Sequence, residues 1–388
     1  MPITKTTNQS WLKRIGGSIK GIICGLLMIL CAIALLFWNE QRAVKTANSL
    51  KEGSKNVVSI SADVYDKKND EKLVHLSGKS YTDDILVDDL CFSKKAIILT
   101  RKVMVYQWHE KESSETKKKL GGGTETVTEY SYKKDWSNEL IDSSKFVKSE
   151  DYQNPTVKEI NNFEINAKNV FLGKFMLSDS LIKQITNKQI VNFEKNDPLI
   201  ASISAKLNQQ AVIHKDSIFV GDNSLKPVIG NLLIEYSTIQ PSEISIIAQQ
   251  SNKQLNKFIT SNGRNIEILE VGRKTANEMF TSAIAGNKNT TWALRFIGLL
   301  LIFFGANLIL KPLSVIADLV PIVGDIVGFG TSLVAGIISI VISLIIIALA
   351  WFVARPIMSV CLLLLVLVIV RVAYTWRHKQ IKSSEVIK

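Results

Sequence analysis

The stretch of sequence that decides the fold is residues 19–38, which read IKGIICGLLMILCAIALLFW. A helix of about 20 mainly apolar residues crosses a hydrocarbon core of about 30 Å, because each residue adds about 1.5 Å. No comparable run follows until Trp292, after which most of the chain to Val370 is apolar. Between them, residues 39–291 are polar and long enough for one or two domains. The chain is therefore predicted to be a multi-pass membrane protein with a large domain outside the bilayer.

The C-terminal region divides into three apolar runs, at residues 292–310, 331–353 and 356–376. Prolines, glycines and two aspartates interrupt the apolar segment between the first two runs, residues 311–330. We interpret this segment as a re-entrant or interfacial element on the cytoplasmic side, because a fifth span would put the two termini on opposite sides of the membrane. The predicted fold class is an α-helical membrane protein with four spans, one N-terminal and three C-terminal. An α+β domain, residues 39–291, is inserted between spans 1 and 2.

Basic residues surround the apolar runs. The net charge is +12, and 12 of the 47 basic residues but only three of the 35 acidic residues lie outside residues 39–291. Positively charged flanks stay on the cytoplasmic side, so the basic arm, residues 1–18, and the basic tail, residues 377–388, are both predicted to be cytoplasmic. The central domain is then lumenal or periplasmic. This placement of charge argues against a nucleic-acid partner. A composition rich in lysine, isoleucine and asparagine favours a bacterial inner membrane over a eukaryotic endoplasmic reticulum or inner nuclear membrane.

The central segment is predicted to combine β-strands with a few helices. Alternating or β-branched runs predict strands, and periodic apolar residues after a serine cap predict a short helix. The glycine-rich residues 120–123 separate two β-rich runs and predict a hairpin or loop. Cys91 is the only cysteine of this domain, which therefore forms no internal disulfide. The predicted strands are 56–65, 97–108, 125–132, 211–220, 228–239 and 244–248, and the predicted helices are 178–188 and 273–285.

Sequence motifs for catalysis or cofactor binding are missing. The chain has no GxxxxGK[ST], no GxGxxG after a strand, no GxSxG and no HExxH. The four histidines, His75, His109, His214 and His378, are scattered, so a metal site would need distant ligands to meet. We therefore predict no enzyme activity, no cofactor and no metal. An enzyme of unrecognised type in the central domain is the competing hypothesis.

Four residues of the C-terminal membrane region stand out as polar or helix-breaking: Asn307, Asp318, Pro321 and Asp325. Ionisable groups at membrane depth are costly and usually face a cavity, water or a partner. One interpretation is an ion or proton site formed by Asp318 and Asp325, seven residues apart on one helix face, together with Asn307. The interpretation that we favour places both aspartates at the cytoplasmic interface, where they cap short helices or pair with Lys311.

Small residues recur in the first span, where Gly17, Gly21 and Gly25 are four apart. This spacing lets helix backbones approach closely, although glycine is common in membrane helices in any case. Aromatic and arginine residues at the ends of the apolar runs are predicted to anchor the spans in the membrane interface. These residues are Trp38, Trp292, Arg295, Trp351, Arg355 and Trp376.

An ordered set of motifs runs along most of the chain. The motifs are Phe37-Trp38-Asn39-Glu40-Gln41-Arg42-Ala43-Val44, Arg101-Lys102-Val103-Met104-Val105-Tyr106-Gln107-Trp108, Tyr130-Ser131-Tyr132 with Trp136, Gly173-Lys174-Phe175, Thr291-Trp292-Ala293-Leu294-Arg295, Asp318 with Pro321 and Asp325, and Arg355-Pro356. Taken together, they resemble the LUMA (transmembrane protein 43) family. The likeness includes the layout of one N-terminal and three C-terminal spans. Gln41 departs from the family pattern, in which we expect glycine.

The resemblance implies a non-enzymatic membrane organiser that forms homo-oligomers. For eukaryotic relatives it implies residence in the endoplasmic reticulum and inner nuclear membrane, with nuclear-envelope partners. We therefore expect a scaffold that acts through self-association and through binding to a partner or to the lipid bilayer. A flotillin-type membrane-scaffold protein is one candidate partner. The alternative is an ion or small-solute channel or transporter that uses the polar residues of the C-terminal membrane region.

Overall fold

The computed structural model describes residues 3–194, 197–352 and 356–385. Within them the chain forms two compact units. We call the first the β unit; it comprises residues 3–4, 49–113 and 129–281. We call the second the helical unit; it comprises residues 5–48, 114–128 and 282–385. The predicted anchor Arg355 lies outside the described residues, and so does the side chain of the predicted anchor Trp376.

Three helices of the described chain are long and apolar enough to cross a membrane: α1, α4 and α5. This confirms one N-terminal and two C-terminal candidate spans. The last helix, α6, covers the predicted fourth span, residues 356–376, and an apolar stretch at Ser359–Val372 lies among its described residues. A fourth span stays a prediction. The helices are α1 (Trp11–Asn56), α2 (Asp179–Ile182), α3 (Pro198–Leu207), α4 (Ala276–Ala317), α5 (Pro321–Trp351) and α6 (Pro356–Glu385).

The predicted interfacial segment, residues 311–330, is mostly helical. Helix α4 continues through Pro312 to Ala317, and α5 begins at Pro321 after a turn of three residues. Proline suits the first position of a helix, because the N–H that it lacks has no helical partner there. The structure thus gives Pro321 a role in starting α5. Whether the segment enters the bilayer stays a prediction.

The β unit contains most of the strands. Strand β6 and strand β7 also extend into the helical unit, where their connecting turn lies. The strands are β1 (Ile3–Gln9), β2 (Val58–Ser59), β3 (Leu73–Thr82), β4 (Ile85–Val87), β5 (Ser93–Lys95), β6 (Ile98–Lys118), β7 (Thr124–Ser137), β8 (Phe163–Asn166), β9 (Val170–Leu172), β10 (Phe175–Leu177), β11 (Lys188–Ile190), β12 (Ala211–His214), β13 (Ser217–Val220), β14 (Leu232–Ile239), β15 (Glu243–Ser251), β16 (Gln254–Asn256), β17 (Phe258–Ile259), β18 (Asn265–Ile266) and β19 (Ile268–Val271).

Two large sheets contain most of these strands, and β4–β5 and β17–β18 form two small sheets. In the first, β3, β9, β10, β16 and β15 pair in that order and β15 pairs back with β3, so the five strands close into a ring. The second runs β7-β6-β14-β13-β12, with β8 paired to β6 and β11 paired to β14. Closing a ring of strands leaves none of its five members with a free edge.

The core of the β unit follows the period of its strands. On β14, Leu232, Ile234 and Tyr236 are buried at alternate positions, and Val103 and Val105 are buried on the paired β6. Alternate residues of a strand point to the same face, so these side chains share one apolar layer.

A charged cluster lies inside this apolar core. Arg101 is 1% exposed and donates to Asp88 at 2.6 Å and to Asp89 at 2.6 Å. The hydroxyl of Tyr236 donates to the same Asp88 at 2.5 Å. Burial and the neighbouring Asp88 carboxylate raise the pKa of Tyr236, so its hydroxyl keeps the proton that it donates. A buried charge is stable only when paired in this way.

The structure confirms several predicted elements and corrects others. The glycine-rich turn joins β6 to β7, and the predicted strand 211–220 is a hairpin of two strands. The predicted helix 178–188 ends at Ile182, because the chain then joins β14 as strand β11. The predicted strand 56–65 shortens to Val58–Ser59. Strand β3 was not predicted from the sequence. The residues at its start are buried on both faces of the sheet, so apolar and polar residues do not alternate there.

Candidate functional site: two charged clusters among the apolar helices

The first charged cluster joins three helices of the helical unit. Glu40 of α1 is 1% exposed and accepts two hydrogen bonds from Arg295 of α4, at 2.6 Å from Nε and 2.9 Å from Nη2. The indole Nε1 of Trp351 on α5 donates to the same carboxylate at 2.6 Å. A bidentate guanidinium–carboxylate ion pair is among the strongest side-chain contacts in proteins. We call Glu40, Arg295 and Trp351 the Glu40 cluster.

Two aromatic rings cover the guanidinium of this cluster. The Arg295 Cζ atom lies 4.7 Å from the ring centre of Trp292 and 5.1 Å from that of Trp351. Both distances fall within the range of a cation–π contact. Trp351 is 8% exposed, whereas Trp292 is 59% exposed and Trp38 is 56% exposed. Their role as membrane anchors stays a prediction, but Trp351 and Arg295 also hold helices together.

Polar side chains extend this contact between α1 and α4. Arg42 donates to Asn287 at 3.1 Å and to the Thr291 hydroxyl at 3.0 Å. Asn39 donates to the backbone oxygen of Thr291 at 3.1 Å. Since each bond joins α1 to α4, these two helices are fixed in register at this end.

Glycines bring the same two helices together further along. A Cβ on Gly25 would lie 2.5 Å from the carbonyl oxygen of Gly305, and a Cβ on Gly298 would lie 2.5 Å from Leu36. Gly21 makes only ordinary contact with Leu308, and Gly17 has no neighbour within 4 Å. Within the chain, the three predicted packing glycines therefore differ: Gly25 is needed for close approach, and Gly17 faces open space.

We expect Gly25→Leu to destabilise the protein by at least about 1–3 kcal/mol, because overpacking forces neighbouring atoms apart. Here the first obstacle is the Gly305 backbone, which cannot rotate away. The measurement is thermal unfolding in detergent micelles. Gly286→Leu on α4 is the matched control and should leave the unfolding temperature unchanged, because a Cβ on Gly286 meets no atom within 4 Å. Equal losses in both variants would contradict the assigned contact.

The second charged cluster forms around Asp318 in the turn between α4 and α5. The Asp318 side chain is 2% exposed and pairs with Arg14 of α1 and with Lys118, the latter at 2.6 Å. Lys118 also pairs with Asp325 of α5 at 2.7 Å. A Cβ on Gly324 would collide with the Asp318 carboxylate. We call Arg14, Lys118, Asp318 and Asp325 the Asp318 cluster.

Backbone contacts support this second cluster. Arg14 also donates to the carbonyl oxygen of Gly122, and Gly121 N donates to the carbonyl oxygen of Leu319 at 3.1 Å. The indole of Trp11 donates to the carbonyl oxygen of Val315 at 2.8 Å. The turn of the β6–β7 hairpin therefore rests on the start of α1 and on the α4–α5 turn.

The protonation of Lys118 matches this setting. Burial alone would lower its pKa, but its hydrogen bonds to Asp318 and Asp325 and the charges of both carboxylates outweigh burial and raise the pKa. Lys118 is therefore a fixed cation that bridges two carboxylates at neutral pH.

These contacts restrict the depth of the hairpin turn. Lys118 belongs to the central segment, residues 39–291, which the sequence places opposite to the cytoplasmic segment, residues 311–330. Groups 2.6–2.7 Å apart cannot lie on opposite sides of a hydrocarbon core of about 30 Å. Residues 114–128 and the α4–α5 turn therefore lie on one side of such a core, and which side that is stays a prediction. The placement of the remaining central segment stays a prediction.

Asn307 is not a member of the Asp318 cluster, but it lines a cavity together with Asp325. Its side-chain oxygen accepts from the Ser332 hydroxyl at 2.9 Å, and its amide donates to the Phe303 carbonyl oxygen at 2.9 Å. The cavity has a volume of about 620 Å³ and is also lined by Lys118 and Lys311. Asp318 is bound to Lys118 and does not line the cavity. The sequence predicted Lys311 as the partner of the aspartates. In the structure Asp318 pairs with Arg14 and Lys118, and Asp325 pairs with Lys118.

Sequence reasoning missed Glu40, Arg14 and Lys118 as cluster members. Glu40 follows directly after an apolar run, and a charge at that position needs a partner or water. That signal could have identified Glu40, but its partner is 255 residues away. Within the described residues, no group of three or more His, Cys, Asp or Glu side chains could hold a metal ion.

The fold and these clusters define a polytopic membrane protein with a large β-rich domain in its chain. A family model described as Transmembrane protein 43 matches residues 105–356. Human transmembrane protein 43 is 31% identical over 385 residues, which cover 96% of this chain and 94% of the human protein. The mouse protein is 29% identical over 95% of this chain and 94% of its own length. A Drosophila melanogaster homologue is 26% identical over 88% of this chain and 90% of its own length. No solved structure matches. The chain belongs to the transmembrane protein 43 family.

Proposed function

We propose that this protein is a non-enzymatic membrane scaffold that acts through self-association and through binding to lipid or a partner protein. The observation that carries this proposal is the free face of α1. Gly17, Cys24 and Cys31 are exposed and lie seven residues apart, so they share one side of the helix. Small side chains along one side of a membrane helix let a second helix approach closely.

The proposed setting is a membrane with both chain termini in the cytoplasm. The composition favours a bacterial inner membrane. The animal relatives support a eukaryotic membrane as the alternative. Basic residues at the start of α1, such as Lys13 and Lys20, would attract anionic lipid by about 1 kcal/mol each. Such an attraction concentrates the chain on one membrane surface, where lateral association becomes more frequent.

Cross-linking through the native cysteines tests self-association. Cys91→Ser and Cys361→Ser leave only Cys24 and Cys31, and copper-phenanthroline oxidises neighbouring thiols in the native membrane to a disulfide. We expect a covalent dimer. Gly17→Leu should lower its yield about tenfold, the equivalent of about 1.4 kcal/mol, because the added side chain separates the two helices.

Gly286→Leu is the matched control, since Gly286 is an exposed glycine of α4 with no neighbour within 4 Å. Its dimer yield should equal that of the parent. Absence of a dimer in the parent, or an undiminished yield in Gly17→Leu, would refute association through this face of α1.

The cavity beside Asn307 supports a second candidate, a channel or transporter for an ion or small solute. It places an amide and a carboxylate at the surface of one polar space. Flux into proteoliposomes that falls in Asn307→Leu and in Asp325→Asn would favour transport over a scaffold. Asp318 is left intact in this test, because its removal would leave Arg14 without its carboxylate partner. Flux at the level of empty liposomes would exclude this candidate.

A further inference from the structure

The cavity of the helical unit lies between α1, α4, α5 and the hairpin turn. Its wall is apolar at Met28 and Phe304 and polar at Asn307, Lys311, Asp325 and Ser332. Its volume of about 620 Å³ falls within the range of about 300–1,000 Å³ for small-molecule sites. A site with one apolar wall and one polar wall suits a ligand that is itself apolar at one end and polar at the other.

Apolar side chains surround the cavity on the outer surface of the same helices. Phe304 is 52% exposed on α4, and Ile326 and Phe329 are 68% and 73% exposed on α5. In the proposed membrane setting, with the start of α5 inside the bilayer, such side chains face acyl chains rather than water. A ligand that reaches the cavity from the side then comes from the bilayer.

Three charged side chains line the cavity: Lys118, Lys311 and Asp325. Within the described part of the chain Lys311 takes part in no ion pair, and its side chain is free to bind a phosphate. The side chain of Asp325 is 70% exposed although one of its oxygens accepts from Lys118, so it has remaining capacity to accept from an amine. Hydroxyl and amide groups at Ser332 and Asn307 lie in the same wall.

We propose that this cavity binds the headgroup of an amine-bearing phospholipid, with its phosphate at Lys311 and its primary ammonium at Asp325. The acyl chains then run along Met28 and Phe304. A choline headgroup carries no N–H to donate to Asp325, and a glycerol headgroup carries no cation, so both fit less well. The proposal rests on the lipid-binding part of the proposed function and names the lipid class.

Lipid retention tests the site. Delipidated full-length protein is reconstituted into vesicles of phosphatidylethanolamine, phosphatidylcholine and phosphatidylglycerol in equal parts, then extracted in mild detergent and examined by native mass spectrometry. We expect bound phosphatidylethanolamine to exceed each other lipid about tenfold, as for one hydrogen bond to a charged group. Asp325→Asn should abolish this preference, and Lys311→Gln should lower retention of all three lipids.

Two further variants separate the cavity from general surface charge. Gly328 lines the cavity, and a Cβ there meets only Ser314 at 3.7 Å, so Gly328→Leu should fill the cavity without a clash and lower retention. Lys288→Gln removes an exposed charge of α4 outside the cavity and should leave retention unchanged. Equal retention in all variants, or an equal loss in Lys288→Gln, would overturn the proposal.

Soluble phosphoethanolamine distinguishes a membrane lipid from a free headgroup. If it competes with the vesicle lipid at micromolar concentration, the ligand is the soluble compound and the lipid assignment is wrong. Failure to compete supports a lipid. The same mass spectra report the oligomeric state, so loss of lipid with an intact oligomer is distinguished from failure of self-association.

Discussion

Replacing Glu40 by alanine should destabilise the protein by about 3–5 kcal/mol, the usual cost of removing one partner from a buried ion pair. The Arg295 guanidinium would remain between Trp292 and Trp351 without its carboxylate, and the Trp351 indole would lose its acceptor. Thermal unfolding in detergent micelles measures the loss. Glu40→Gln keeps an acceptor for Trp351 but not the charge, so its loss should be intermediate.

The double variant Glu40→Leu with Arg295→Met separates the pair from its surroundings. It removes both charges and leaves apolar side chains of similar size, an exchange that is often neutral. We expect it to be more stable than Glu40→Ala. If the single and double variants lose stability equally, the contribution of Glu40 lies elsewhere than in the bond to Arg295.

The second large effect is expected in the β unit, where Asp88→Ala should cost about 3–5 kcal/mol. Asp88 accepts from Arg101 and from the Tyr236 hydroxyl, and its other oxygen accepts from the backbone N–H groups of Leu90 and Phe92. Its removal leaves four donors short of an acceptor inside an apolar core. Hydrogen exchange of the full-length protein should show faster exchange in β6 and β14.

Asp83→Ala provides the control for this experiment. Asp83 pairs with Lys95 at 2.8 Å, but its side chain is 86% exposed, and exposed pairs contribute about 0–1 kcal/mol. Exchange in β6 and β14 should therefore stay at the parental rate. Protection that survives Asp88→Ala would show that Asp89 alone holds Arg101.

The sequence was sufficient for the parts of the fold that depend on local patterns. The apolar run of α1 and the glycine-rich turn after β6 both follow from neighbouring residues. The start of α5 at Pro321 was not predicted, because the prolines and glycines of residues 311–330 indicated a broken segment. The ring of five strands could not be predicted, because it depends on pairing between residues far apart, such as β3 with β15. Strand pairing of this kind carries no local signature.

The charged clusters also depend on residues far apart in the sequence, so only some of their members could be identified from local patterns. Asp318 and Asp325 stood out because a carboxylate is unusual in an apolar run, whereas Lys118 lies in a lysine-rich hairpin that reads as an exposed polar surface. The pairing of Lys118 with Asp318 and Asp325 becomes apparent only in the folded structure, where the hairpin turn lies beside α4 and α5. Local composition therefore identified the acidic half of the Asp318 cluster and missed its basic half.

The separation of Glu40 from Arg295 has a consequence for biosynthesis. The two residues are 255 positions apart, and a ribosome adds about 5–20 residues per second. The first membrane helix therefore waits roughly 10–50 s with an uncompensated carboxylate before its arginine is made. During that interval the nascent chain needs water, lipid or an insertion factor to shield the charge. Chains stalled before residue 295 should consequently be preferred substrates of membrane quality control.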